Sequence, residues 1–151
     1  MLEAERILKE QGIPYRLIDL TENAMTVADV ARYSKGDIKV EEICKTVIMR
    51  DDSGNRYAFL LVGTDRVDFL KAKKLTGKKL SVASPGEVCA SAGVDPGAVC
   101  PLTLRIPLTI DQRVLGLERV NFGSGHHLHG IEMDTHDLLR AVLHTIVDIA
   151  Q

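Results

Sequence analysis

Ile43-Cys44-Lys45-Thr46-Val47-Ile48-Met49-Arg50-Asp51-Asp52-Ser53-Gly54-Asn55-Arg56-Tyr57-Ala58-Phe59-Leu60-Leu61-Val62 is the stretch whose reading decides the fold. Residues 43–49 and 57–62 are rich in β-branched and aromatic side chains, and Asp51 to Asn55 between them has the composition of a hairpin turn. Two antiparallel strands follow from that pattern. Lys45 is out of place inside the first of them, because a central strand normally carries apolar residues or a solvated alternate face. Either its ammonium snorkels to the outer face of the sheet, or it stands as a fixed cation at the floor of a cleft, within reach of a phosphate or a polarised ester oxygen.

Working upstream, Leu2, Ile7 and Leu8 recur at helical spacing before Gly12 and Pro14, which predicts a helix over 2–11. Residues 15–20 alternate well enough for a strand, and Thr26 caps a short helix carrying Val27, Val30 and Ala31 that ends near Gly36. Downstream, a helix of about 69–75 is stopped by Gly77. Lys71, Lys73, Lys74, Lys78 and Lys79 concentrate positive charge there, to brace a phosphate backbone or simply as a solvated helix face. After a short strand at 80–83, Ser84-Pro85-Gly86-Glu87 forms a capping box with proline at the first helical position, opening a helix to about Ala92 that Gly93 ends.

That helix delivers the chain into Asp95-Pro96-Gly97-Ala98-Val99-Cys100-Pro101. Proline makes rigid turns and Gly97 permits close backbone approach, so the loop is either an ordinary Pro/Gly turn or a cradle aiming free N–H groups at an anion or a polarised carbonyl. Strands are expected within 104–111, over 118–122 and over 127–133, with Gly123-Ser124-Gly125 a tight turn between the last two. Asp134 or Thr135 then caps a final helix, with Leu138, Leu139, Val142, Leu143, Ile146 and Val147 as its apolar stripe. The expected class is α+β: a curved, mixed sheet with helices packed around it, in one domain spanning residues 1–151.

Composition narrows the function classes. The chain has 151 residues, 45% of them hydrophobic, a mean hydropathy of +0.02 and a net charge of −2, enough for one proper core and no global field to attract nucleic acid or anionic membrane. Any RNA contact is therefore local, and neither DNA nor membrane is expected as a partner. Cys44, Cys89 and Cys100 are odd in number and contain no CxxC pair, which fits a reducing cytoplasm better than a disulfide framework or a cysteine zinc site. No apolar run reaches the ~18 residues of a membrane span, and Met1-Leu2-Glu3-Ala4-Glu5 is too acidic and polar for a signal peptide.

Taken together, Ile43-Cys44-Lys45-Thr46-Val47, the lysine-rich helix after Val67-Asp68, Ser84-Pro85-Gly86-Glu87-Val88, Gly97-x-x-x-Pro101, and Gly123-Ser124-Gly125-His126-His127 before a strand and Asp134 resemble the YbaK/ProX family. These are aminoacyl-tRNA deacylases related to the editing domain of bacterial prolyl-tRNA synthetases. The resemblance runs from about Ala4 to Leu143. It implies a free-standing trans-editing hydrolase that cleaves the ester of a mischarged tRNA, tRNAPro carrying cysteine, alanine or another small amino acid. It implies no cofactor, and aminoacyl-tRNA as partner with or without a synthetase.

By the same resemblance the catalytic set is Lys45 with the loop backbone of Gly97, Ala98, Val99 and Cys100. Thr46, Pro101, Gly123, Ser124, Gly125, His126 and His127 bind substrate, and Lys71, Lys73, Lys74, Lys78 and Lys79 bind tRNA. The chemistry suits these groups, since ester hydrolysis builds negative charge on the carbonyl oxygen that backbone N–H groups and a cation stabilise. No residue stands out as a general base. Leu102-Thr103-Leu104 follows the loop proline where relatives often carry a glycine, which alters the pocket wall.

Cys100 reads as a small buried hydrophobe rather than a nucleophile, because no basic partner is near it in sequence; Cys100→Ala should keep most activity. His126, His127, His129 and His136 raise the idea of a zinc hydrolase, but no acid or cysteine falls at a recognised ligand spacing, so no metal is expected; the resemblance instead places His126 or His127 at the amino-acid pocket beside Gly123 and Gly125. A non-catalytic module that only binds aminoacyl-tRNA or a synthetase is the alternative from another class.

Overall fold

A computed structural model describes all of residues 1–151. The hairpin forms as the sequence demands: β2 (Cys44–Arg50) pairs antiparallel with β3 (Arg56–Val62) from Cys44↔Val62 to Arg50↔Arg56. The buried Asp51 carboxylate organises the turn, accepting from the N–H groups of Ser53 and Asn55, the Asn55 side-chain amide and the Tyr57 hydroxyl at 2.9–3.0 Å.

Around that hairpin the strands divide into two sheets. One is fully antiparallel, with β1 (Arg16–Asp19), β7 (His129–Asp134) and β6 (Arg119–Gly123) in that order. The other is mixed: β4 (Ser81–Val82), β2, β3, β5 (Leu108–Asp111) and β8 (Thr145–Val147), with β3, β5 and β8 parallel. A single bridge, Ile43↔Asn121, joins them. The fold is the expected α+β class, with α1 (Glu3–Glu10), α2 (Val27–Tyr33), α3 (Phe69–Thr76), α4 (Pro85–Ala92) and α5 (Thr135–Ala141) packed around the sheets.

Alternation along the hairpin sends side chains into two cores. Ile48, Ala58 and Leu60 join Val120, Phe122, Ile131 and Met133 between the sheets, together with Ala4 and Leu8 of α1 and Leu138 of α5. Met49, Phe59 and Leu61 face the other way, against Ala72 of α3, Leu80 and the C-terminal Ile149 and Ala150. Burying each large apolar side chain stabilises by roughly 1.5–3 kcal/mol. The caps read from sequence are present: Thr26 and Ser84 Oγ accept from Asp29 and Glu87 N–H, and Asp134 accepts from His136 and Asp137.

The last helix is shorter than its apolar stripe suggested. It ends at Ala141, where Val142 turns to extended backbone, and Thr145, Ile146 and Val147 pair with Thr109, Ile110 and Asp111 as β8. Leu143 is 94% exposed. The apolar run 142–147 satisfies a helical period by coincidence; its β-branched residues fit an open edge of the mixed sheet, and the ladder takes up backbone groups that a longer helix would have bonded internally.

Candidate functional site

β4 reaches only Met49 and Arg50, so the edge of β2 from Cys44 to Val47 has no strand beside it on that side. A cleft of about 320 Å³ opens there. Its floor is β2, one wall is Val82, Ala83 and α4, the opposite wall is Met25, Thr26 and α2, and its end is Pro96, Gly97, Val99 and Gly123.

Gly97 is needed for a reason that a ligand does not supply. A Cβ built on it would fall 1.9 Å from Ala24 O and 3.0 Å from Met25 Cα, so the Pro96–Ala98 turn presses directly on the strap that carries Met25 and Thr26. Gly123 permits a similar approach in the next layer: its Cβ would lie 2.5 Å from Val99 O. The Asn23 amide donating to Asp95 at 3.0 Å and the Gly125 N–H donating to Ala98 O at 2.8 Å clamp strap, turn and β6–β7 hairpin together.

Within the turn, the Ala98 and Val99 N–H groups point back to Asp95 O and Pro96 O, whereas the Gly97 N–H finds no acceptor in the chain. Lys45 is half-buried in the cleft. Burial, then the nearby Arg66 cation, push its ammonium below the ordinary lysine range, with Asp65 opposing them. Thr46 is buried, and its hydroxyl has no partner. The cleft thus holds a half-buried cation and the unbonded Gly97 amide among mostly apolar walls, with the Thr46 hydroxyl buried and unpartnered in its floor strand. That is a site for a small, polar, negatively polarised group held in a dry setting.

Of the residues singled out from sequence, Lys45, Thr46, Gly97, Val99 and Gly123 line this cleft, and Ala98, Cys100, Pro101, Ser124, Gly125, His126 and His127 do not. Cys100 is 2% exposed in the core, and burial pushes its thiol up to about 12, far from a nucleophile's range. Ser124 is buried and structural, its Oγ donating to His129 O at 2.6 Å. His126 stacks on His127 at 4.6 Å, and His129 pairs with Asp19 at 3.0 Å. Burial holds His126 below the ordinary histidine range, and no three metal-ligating side chains converge anywhere in the chain.

Lys73, Lys74, Lys78 and Lys79 are exposed, while Lys71 is engaged by Asp148 at 2.9 Å and Ala150 O at 2.7 Å. Sequence reading passed over Met25, Val27, Val30 and Val82 as lining residues, and nothing local marks them as such. Arg66, whose charge acts on Lys45, lies outside the cleft lining. All three cysteines are free, and no helix is long and apolar enough to cross a membrane.

Residues 21–141 match the family model of the aminoacyl-tRNA editing domain. Among solved structures, a hypothetical protein is 29% identical over 97% of this chain and 98% of its own, with a TM-score of 0.84. A scaffold from work on computational epitope grafting is 25% identical over 97% and 94%, TM-score 0.81. A candidate trans-editing enzyme for prolyl-tRNA synthetase shares the fold at 24% identity over 100% and 99%, TM-score 0.80.

Proposed function

The chain belongs to the aminoacyl-tRNA editing domain family, and from that premise we propose that it is an aminoacyl-tRNA deacylase, hydrolysing in trans the ester between a small amino acid and the terminal ribose of a mischarged tRNA, tRNAPro foremost. Family membership supports the editing role. The likeness to a candidate trans-editing enzyme suggests the mode of action and the tRNA. The observation that carries the chemistry is the half-buried Lys45 in one apolar cleft with the unbonded Gly97 N–H.

Water attacks the ester carbonyl carbon, negative charge grows on the carbonyl oxygen, and the bond to the ribose oxygen breaks, releasing free amino acid and uncharged tRNA. The Gly97 N–H serves as the oxyanion donor, because the neighbouring Ala98 and Val99 amides are already bonded within the turn. Lys45 holds the terminal phosphate or polarises the ester, its charge strengthened by the apolar walls. The water's proton reaches the departing ribose oxygen, relayed by the substrate's own amine or the neighbouring ribose hydroxyl, since no histidine or carboxylate lines the cleft. Exposed Lys73, Lys74, Lys78 and Lys79 steer the RNA backbone, and Val82 of the cleft wall follows Lys79 by three positions.

The test is deacylation of tRNAPro charged separately with cysteine, alanine, serine and proline, by the protein and by Lys45→Ala. Selective hydrolysis of a mischarged species, lost in the variant, is expected. Binding of every species without hydrolysis of any would make the chain a binding module instead.

A further inference from the structure

Lys45 and the Gly97 turn approach the open edge of β2 from opposite faces of the sheet. Cys44 and Ile48 point into the core between the sheets, where Val99 of that turn also packs. Lys45 stands opposite Leu61, and its neighbours on that face, Val47 and Met49, belong to the other core with Ala72 of α3. The lysine therefore leaves the strand on the α3 side, toward the connection from β3 to α3 that carries Asp65 and Arg66.

The backbone of that connection is pinned. The Gly63 N–H donates to Ile43 O at 2.8 Å, the Asp65 N–H to Val62 O at 2.9 Å and the Gln151 N–H to Arg66 O at 2.9 Å, while Val67 bridges to Ala150. From this fixed base the Arg66 side chain is exposed and meets no carboxylate. Every other arginine except Arg105 has a partner: Arg32 lies 5.6 Å over the Tyr33 ring, and the rest reach carboxylates at 3.4 Å or closer. The Arg66 charge weighs against the Lys45 ammonium, with Asp65 drawing the other way. Two cations against one carboxylate leave an excess of positive charge that no contact within the chain takes up. Like charges held near each other are disfavoured, and an anion set between them reverses that.

We propose that Arg66 and Lys45 together grip the phosphodiester joining the terminal adenosine to the nucleotide before it, which makes Arg66 a binding residue and assigns Lys45 to the phosphate rather than the ester oxygen. The inference rests on the deacylase reading above and adds a residue to it. An ester carbonyl at the Gly97 N–H lies toward one face of the β2 edge, and the ribose of the same nucleotide carries the chain round to its 5′ phosphate on the other. An arginine fork matches two phosphate oxygens, while a lysine supplies a point charge.

Two short substrates isolate that phosphate: the amino acid esterified to adenosine, which has none, and to the dinucleotide CpA, which has one. The amino acid is whichever of cysteine, alanine, serine and proline the protein removes fastest from tRNAPro. The quantity to measure is kcat/KM for the dinucleotide ester divided by that for the nucleoside ester, with the full chain, Arg66→Ala, Arg66→Lys and Arg105→Ala. Such a ratio does not depend on how much of a variant is folded. Arg105, beside Glu3 and Ser91 behind the turn, is the control for an unpaired arginine elsewhere. A parent ratio above roughly ten is expected, falling about tenfold in Arg66→Ala through KM rather than kcat, with Arg66→Lys intermediate and Arg105→Ala at the parent value. An unchanged ratio in Arg66→Ala, a fall carried by kcat, or an equal fall in Arg105→Ala overturns the grip while the deacylase reading stands. So does a parent that treats the two esters alike, or that hydrolyses neither while hydrolysing charged tRNA. Hydrolysis of no ester, charged tRNA included, overturns both.

Discussion

The two ends of the central hairpin treat their buried polar groups in opposite ways. At the turn end, the Asp51 carboxylate accepts from the Ser53 and Asn55 N–H groups, the Asn55 amide and the Tyr57 hydroxyl; away from the turn, on β5 one position beyond the Leu60↔Ile110 pair, the fully buried Asp111 is closed in the same way, accepting from the Ile149 and Ala150 N–H groups at 2.9 and 3.0 Å and from Arg113 at 3.2 Å. At the cleft end, the Thr46 hydroxyl, the Gly97 N–H and the Asn121 amide are unsatisfied, and Lys45 has no carboxylate within salt-bridge range. Closed networks hold a frame. Open ones oppose folding slightly and are tolerated where a substrate completes them, so stability and activity should separate along β2.

Lys45→Ala tests that separation most severely. Deacylation should fall by ~10²–10³ while the thermal midpoint stays level or rises, because the lost ammonium was disfavoured by burial. A comparable loss of both would return Lys45 to the frame. Asp111→Ala should do the reverse, lowering unfolding free energy by about 3 kcal/mol in denaturant titrations through two stranded N–H groups, with kcat little changed in the folded fraction. Gly97→Ala lies at the cleft end yet should damage both properties, since its Cβ would displace the Ala24–Met25 strap. A loss of about 1–3 kcal/mol together with reduced kcat is expected, and an unperturbed variant would show the strap to be freely movable.

The smallest effect is that of pH on the turn. Hydrogen bonds, from the Asn55 amide first, hold the Asp51 carboxyl below the ordinary carboxylate range. Its contribution to stability is therefore present above the unfolded-state value and is lost as pH falls through the lower folded value. Asp51→Asn should unfold at a lower temperature than the parent at pH 7, and the gap should close in acid. A gap independent of pH would show that shape, not charge, organises the turn.

Much of the frame was open to reading because it is local. The hairpin, the Ser84 capping box, the Gly77 and Gly93 stops and the Thr26 cap each rest on residues within a few positions of one another. The C-terminal strand was not open in this way. Residues 142–147 suit a helix or a strand, and the unfilled edge of β5 chose between them.

For the site, residue chemistry drew attention to Lys45 and the Gly97 loop, the family resemblance added Thr46 and Gly123, and all four line the cleft. That the Gly97 and Cys100 N–H groups of the 96–100 turn find no acceptor, that Lys71 is occupied, that the Cys100 side chain faces the core, and that the buried Asn121 amide is unpaired were decided only by tertiary structure. The physical reason is range: propensity, capping and turn chemistry act over one or two turns of chain, whereas burial and hydrogen-bond satisfaction depend on which distant segments come to rest against a residue.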